Sequence, residues 1–199
     1  MSATSKTFAL TRLRANDRNF VSMSEAISAD DDAVLSPARR WGAFHGLFGI
    51  GSDELFVVSV GDVEKVNDRL LALEEVREAD TLLLEATVRP TSEAALSREG
   101  LYVFRFFEIA NKDVEEIAEL SREAWKTFEA TDDYRSEPQA LFCQADRSSE
   151  RGRMLLVTWY DGLESWQTSR NPHPEAREKF RRRHAMTEGT VAYATRLLT

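Results

Sequence analysis

The chain has 199 residues and a mass of 22.6 kDa, a length that fits one domain or two small ones. With 42% hydrophobic residues, 30% charged residues and a mean hydropathy of -0.42, its make-up is that of a soluble globular protein, which excludes a disordered chain. A net charge of -8 and a pI near 5.1 weigh against nucleic acid and against anionic membrane surfaces.

No run approaches the roughly 18 apolar residues of a membrane span. The segment Met1 to Ala15 lacks the apolar core of a secretory leader. The single cysteine, Cys143, excludes an intrachain disulfide and a zinc site built on several thiolates, so the expected compartment is the reducing cytoplasm. The one basic cluster, Arg177, Lys179, Arg181, Arg182 and Arg183, is interleaved with Glu175 and Glu178. On a predicted helix it reads as a solvated face.

The first predicted strand is Phe8 to Arg14. A short helix follows over Phe20 to Ile27 and dissolves into Asp30, Asp31 and Asp32, read as a loop. Two strands come next, Trp41 to Phe48 and Leu55 to Val60, joined by the polar turn Gly49 to Glu54. A helix is predicted from Val63, Val66, Leu70 and Leu73, with Asp62 as its cap. Thr81 to Arg89 is the last strand of this half.

The order then repeats. Leu101 to Glu108 is a strand that aligns with the first when Arg105 is laid over Arg12. Asn111 is a candidate N-cap, and Asp113, Glu115 and Glu116 suit a first helical turn. Val114, Ile117, Leu120 or Ser121, Ala124, Trp125 and Phe128 then recur at helical spacing. Gln139 to Gln144 and Met154 to Tyr160 are strands, and Asp161 is a second candidate cap. The helix opened by Leu163 and Trp166 is interrupted by Asn171-Pro172-His173-Pro174 and resumes from Glu175 to about Met186. Thr190 to Leu198 closes the chain.

Strand-helix-strand-strand-helix-strand, twice, predicts an α+β protein of two tandem ferredoxin-like repeats, divided as 1–95 and 96–199. The strands are apolar on both faces. Phe104, Phe106 and Phe107 on one strand show this, because neighbours on a strand point opposite ways. The bare sheet face of one repeat therefore needs the other repeat, sheet to sheet, as in a barrel.

Two segments carry a family resemblance: Tyr102-Val103-Phe104-Arg105-Phe106-Phe107 and Leu155-Leu156-Val157-Thr158-Trp159-Tyr160-Asp161. The pattern resembles the dimeric α/β-barrel superfamily, which includes NIPSNAP proteins and antibiotic-biosynthesis-type monooxygenases. Val88-Arg89-Pro90-Thr91 looks like the end of a NIPSNAP repeat. The resemblance implies a dimeric-α/β-barrel-like structure within one chain, with a homodimer as a further option. It also implies either a NIPSNAP-like protein that binds a small apolar or aromatic molecule or a protein partner, or a monooxygenase acting on an aromatic substrate. No cofactor is expected under the first reading, and heme is an alternative under the second.

Candidate ligand residues follow from this frame. Arg12, Arg89, Arg105 and Arg196 lie on first and fourth strands. There each either binds an anionic or carbonyl-bearing ligand, pairs with a strand glutamate such as Glu85 or Glu108, or reaches solvent. Phe180, His184 and Trp166 resemble the arrangement of heme-degrading members of the superfamily; the other reading of His184 is a surface histidine beside arginines. His45 and Cys143 align across the repeats, at the barrel interior or as plain core residues. Trp159 and Tyr160 complete the set. No phosphate-binding glycine loop, nucleophile elbow or helical pair of metal-binding histidines occurs.

Overall fold

Strands that are apolar on both faces must be covered twice, and the fold meets that need with a barrel inside a ring of helices. The computed structural model describes residues 7–29 and 31–199. The first half contains β1 (Thr7–Ala15), α1 (Val21–Ala29), α2 (Asp31–Leu35), β2 (Arg39–Phe48), β3 (Glu54–Val60), α3 (Val66–Leu71) and β4 (Val76–Arg89). The second contains β5 (Leu101–Ala110), a 3-10 turn (Asn111–Asp113), α4 (Val114–Phe128), β6 (Ser136–Gln144), β7 (Arg151–Tyr160), α5 (Leu163–Thr168), α6 (Pro174–Ala185) and β8 (Thr187–Leu197).

Each half orders its strands as a ferredoxin-like repeat, β4-β1-β3-β2 and β8-β5-β7-β6. Antiparallel seams between β2 and β8 and between β4 and β6 close the eight strands into one barrel. Closure removes every free strand edge. Phe104 faces the barrel interior and packs with Phe8, Trp41, Phe44, Phe56 and Phe142. Phe107, on the other face of β5, packs beneath α4 and α6 with Ile117, Trp125 and Phe180. The outward face of the first half is covered likewise by Met23 and Ile27 of α1, Leu35 of α2 and Val66 and Leu70 of α3.

Several local expectations are corrected. Asp31 opens a short helix instead of continuing a loop, while Asp30 lies outside the described residues. α3 is six residues long; Val63 and Leu73 flank it yet still pack in the same core. Neither Asp62 nor Asp161 caps a helix: the N-cap residues are Lys65 and Gly162, without side-chain bonds. The Asn111 amide instead donates to the carbonyls of Ser149 and Arg151, pinning the β6–β7 turn. β4 begins five residues before Thr81, at Val76, and β8 runs Thr187–Leu197, three residues ahead of its expected start. His173 is the N-cap of α6, its Nδ1 accepting the Glu175 amide at 3.4 Å.

The two barrel ends differ. Residues 90–100, the connection between the halves, stopper one end. The Leu96 amide donates to the Trp41 carbonyl at 2.7 Å, and Leu96 packs into the interior cluster. Trp159 Nε1 donates to the Glu99 carbonyl at 2.8 Å, with the Arg98 guanidinium 3.2 Å from the Trp159 ring centre. Gly100 lets the connection turn back into β5 at φ +145°. At the opposite end Glu54, 3% exposed, clips β3 to β1. Its Oε2 accepts from Arg12 and from the Gly51 amide at 2.8 and 2.7 Å, and its Oε1 accepts from Arg14 at 2.8 Å. Burial opposes ionisation of this carboxyl, but Arg12, the Gly51 amide and Arg14 outweigh it and hold its pKa below the usual range.

Among the described residues no helix is long and apolar enough to cross a membrane.

Two outcomes follow for stability. A Cβ at position 100 would lie 2.5 Å from the Tyr160 carbonyl and against Trp159 Nε1. Gly100→Ala is therefore expected to cost about 2 kcal/mol or more, read from the urea midpoint. Glu54→Gln should cost about 2 kcal/mol at pH 7. Because the folded pKa is depressed, wild type holds this stability above an unfolded carboxyl pKa of about 4.3 and loses it as pH falls further. The gap between the urea midpoints of wild type and Glu54→Gln should narrow as pH falls below about 4.3, and it closes only once pH is below the depressed folded pKa.

Candidate functional site

Among the described residues the barrel interior is filled with rings along most of its length, and it opens near the Glu54 end. Period-two alternation brings Leu10 and Arg12 of β1, Phe56 of β3, Leu82 of β4, Phe106 of β5 and Tyr193 of β8 to that opening. They enclose a cavity of about 310 Å³. Leu10 and Phe56 form its floor. The Tyr193 ring stands edge-on to Phe56 and Phe106, with centroids 5.6 and 5.9 Å away. Asp80, Glu108, Arg153 and Arg12 form a rim of mixed charge.

Arg12 is the charged group of this mouth that an ion pair to Glu54 holds in place. Glu54 holds one face of its guanidinium at 2.8 Å, and the Tyr193 ring centre lies 5.9 Å from its Cζ. The hydrogen bond that Arg12 donates to Glu54 raises its already high pKa, so Arg12 stays a cation at every working pH. Arg12 does pair with a strand glutamate, but it is Glu54 of the neighbouring β3, at 2.8 Å, and not Glu85 of β4 or Glu108 of β5. The arrangement offers a flat apolar slot with a fixed hydrogen-bond donor at its edge and carboxylates opposite.

The other sequence candidates go elsewhere. Trp159 is at the stoppered end. His45 and Cys143 do not face the interior: both lie on the helix side of their strands. His45 stacks on Phe20 at 5.0 Å. Cys143 is in the core beneath α4, its thiol pKa pushed up by burial. His45 and Arg196 are register partners on β2 and β8, and they share an external groove of about 630 Å³ that ends at Thr199. Arg89 is structural: it makes a paired contact with Glu129 at 2.6 and 2.9 Å and lies over Trp125.

Arg105 and Tyr160 come together on the helix side of the second half, around a small enclosed cavity of about 40 Å³ that they share with Arg183. Trp166 is on α5, and its buried Nε1 has no partner. His184 is exposed at the outer face of α6, beside Thr187. The residue that α6 turns inward is Arg183, one turn after Phe180. An outward histidine and a 40 Å³ cavity do not fit heme. Among the described residues no group of three His, Cys, Asp or Glu side chains is arranged to hold a metal ion.

Phe56, Phe106, Tyr193, Asp80, Arg153 and Arg183 are functional candidates that sequence reasoning missed. Alternation puts Phe106 on the same face as Phe104, and that much was legible; which face looks inward was not. Ala176, Phe180 and Arg183 recur at helical spacing and define the inner face of α6, which treating the arginines as one solvated cluster concealed.

No protein-family model matches the chain, and no curated protein matches it in sequence. Solved structures do. A structure described as an anthrone oxidase-like protein is similar with a TM-score of 0.63 at 10% identity, over 98% of this chain and 92% of that one. An uncharacterised ferredoxin-fold protein from Listeria monocytogenes, described as related to antibiotic biosynthesis monooxygenases, is similar with a TM-score of 0.55 at 8% identity, over 99% and 96%. A variant of chlorite dismutase from Candidatus Nitrospira defluvii is similar with a TM-score of 0.63 at 6% identity, over 99% and 93%. At these identities the likeness speaks for the fold. The chain has the dimeric α/β-barrel fold shared by antibiotic-biosynthesis-monooxygenase-like and chlorite-dismutase-like proteins, with both ferredoxin-like repeats carried on one polypeptide.

Proposed function

We propose that this chain binds a small, flat, largely apolar molecule in the mouth of its barrel. One observation carries the reading: a cavity of about 310 Å³, walled by Phe56, Phe106 and Tyr193, opens in a barrel otherwise filled by its own side chains. That volume is at the lower end of the range for small-molecule sites, about 300–1,000 Å³, and suits two or three fused rings. Arg12, pinned by Glu54, would donate to a carbonyl or phenolic oxygen at the ligand's edge. This deepens the small-molecule branch of the NIPSNAP-like reading; the NIPSNAP likeness itself rests on the strand patterns and Val88 to Thr91.

A second reading, a cofactor-independent monooxygenase, is favoured by the solved structures described as anthrone oxidase-like and as related to antibiotic biosynthesis monooxygenases. An activated methylene would lose a proton to a rim carboxylate, Asp80 or Glu108, and pass its electrons directly to dioxygen. One oxygen atom then becomes the new carbonyl, and the other leaves as water with the two methylene hydrogens. The apolar walls would keep bulk water from the carbanion.

The two readings separate with two neutral probes. Fluorescence anisotropy of 2-naphthol should show saturable binding. Leu82→Trp or Val191→Trp, each filling the mouth, should weaken it by about tenfold or more, with circular dichroism confirming that the barrel is intact. Absence of saturation, or binding indifferent to both tryptophans, overturns the proposed site. Oxygen uptake with anthrone, one dioxygen per substrate and lost in the same variants, selects the monooxygenase; binding without uptake selects the binding protein.

A further inference from the structure

A second site, independent of the mouth, is built on the outer face of the barrel's second half. Arg105 lies between Val103 and Phe107 on the helix side of β5. Opposite it, Arg183 of α6 is only 6% exposed. Phe107 and Phe180 flank the Arg183 guanidinium, with ring centres 5.1 and 4.8 Å from its Cζ. Its Nη1 donates to Ser121 Oγ at 3.1 Å, and that hydroxyl donates onward to the Ile117 carbonyl. Both guanidinium groups border the enclosed cavity of about 40 Å³, with Arg170 at its edge and Thr158, Tyr160 and Ser169 in its wall.

The cavity lacks a counter-charge. Among the described residues no carboxylate forms an ion pair with Arg105, Arg170 or Arg183. The neighbouring cations on the outer face of the helices are matched: Arg181 with Glu178 at 2.8 Å, Arg182 with Glu116 at 3.6 Å, and Arg122 with Glu119 at 2.6 Å. These three solvent-facing arginines are thus paired, while among the described residues buried Arg183 and half-buried Arg105 have no carboxylate. A guanidinium does not relieve this by shedding its proton under ordinary conditions. Buried like charges without a partner are strongly unfavourable, and an anion between them removes the cost. Burial first, and Arg105 second, push the Arg183 pKa down to about 9, the direction expected of a cation that waits for a counter-ion.

We propose that this cavity between β5, β7 and α6 binds a small monovalent oxyanion, gripped by Arg105 and Arg183 and admitted past Arg170. A cavity of about 40 Å³ has room for roughly three waters, at about 10–15 Å³ of free space each, so the fitting ions are of nitrate or formate size. Two guanidinium planes offer several N–H donors to such an ion.

The test is a titration of the intact chain in which nitrate or formate replaces chloride at constant ionic strength, followed by the thermal midpoint and by calorimetry. Saturable stabilisation by nitrate and formate, beyond that given by chloride, is the expected result. Arg183→Met keeps the apolar contacts to Phe107 and Phe180 and should weaken binding by about tenfold or more. Should that variant fail to fold, Arg105→Gln gives the same reading. Arg182→Met, on the outer face of α6, should bind nitrate as wild type does. A response linear in salt, equal for chloride, or unchanged in both Arg183→Met and Arg105→Gln overturns the site. Benzoate carries the same carboxylate on a ring and should be excluded; tighter binding of benzoate than of formate would overturn the small-ion assignment in favour of the acidic end of a larger ligand.

Discussion

The structure depends on one constraint: strands that carry apolar side chains on both faces need two covers. Helices supply one, as α1 to α3 do over Leu13 and Val57, and as α4 and α6 do over Phe107 and Leu156. The other can only be a second sheet. Because the chain carries two repeats, it supplies that sheet itself, and the β2–β8 and β4–β6 seams complete the hydrogen bonding that an open four-stranded sheet would leave unmet.

Closure then decides where function can reside. Large inward rings fill the cylinder in edge-on or tilted contacts, Phe8, Trp41 and Phe142 as one group and Phe44 with Phe104 as another. Such contacts favour a solid interior over a lumen. One end is sealed by the connection between the repeats, which inserts Leu96 and is tied to Trp159 and Trp41. Space is left at the other end, where inward positions of β1 and β3 change from apolar to charged at Arg12 and Glu54. The same carboxylate that clips two strands together also orients the mouth's principal donor, so stability and recognition meet in one ion pair.

Arginines show how differently one residue type is used across this fold. Arg89 is consumed by Glu129, and Arg98 lies on an indole at the sealed end. Arg12 is half engaged, with Glu54 on one side and the cavity on the other. Arg183 has aromatic neighbours and a hydroxyl, and among the described residues neither it nor Arg105 has a carboxylate. Local sequence does not separate these cases: Arg12 and Arg105 both lie in apolar strand segments, and Arg183 lies in a run of arginines. Only the partner brought by another element distinguishes a structural cation from a ligand-seeking one.

The sequence by itself determined the double strand-helix-strand-strand-helix-strand order, the two-faced burial of the strands and hence the barrel, because periods of 2 and 3.6 are local properties of the chain. It also carried the buried stripe of α4 from Val114 to Phe128 almost residue for residue. The tertiary structure alone decided which face of each strand looks inward, since a strand apolar on both faces gives parity no preference. That choice sent His45 and Cys143 outward and Phe106 and Tyr193 inward. It likewise decided that Glu54 is the partner of Arg12, that residues 90–100 form a stopper, and that α6 presents Arg183 and not His184 to the cavity. Each of these depends on register and rotation between elements distant in the chain, and those quantities are set by packing, not by any local pattern.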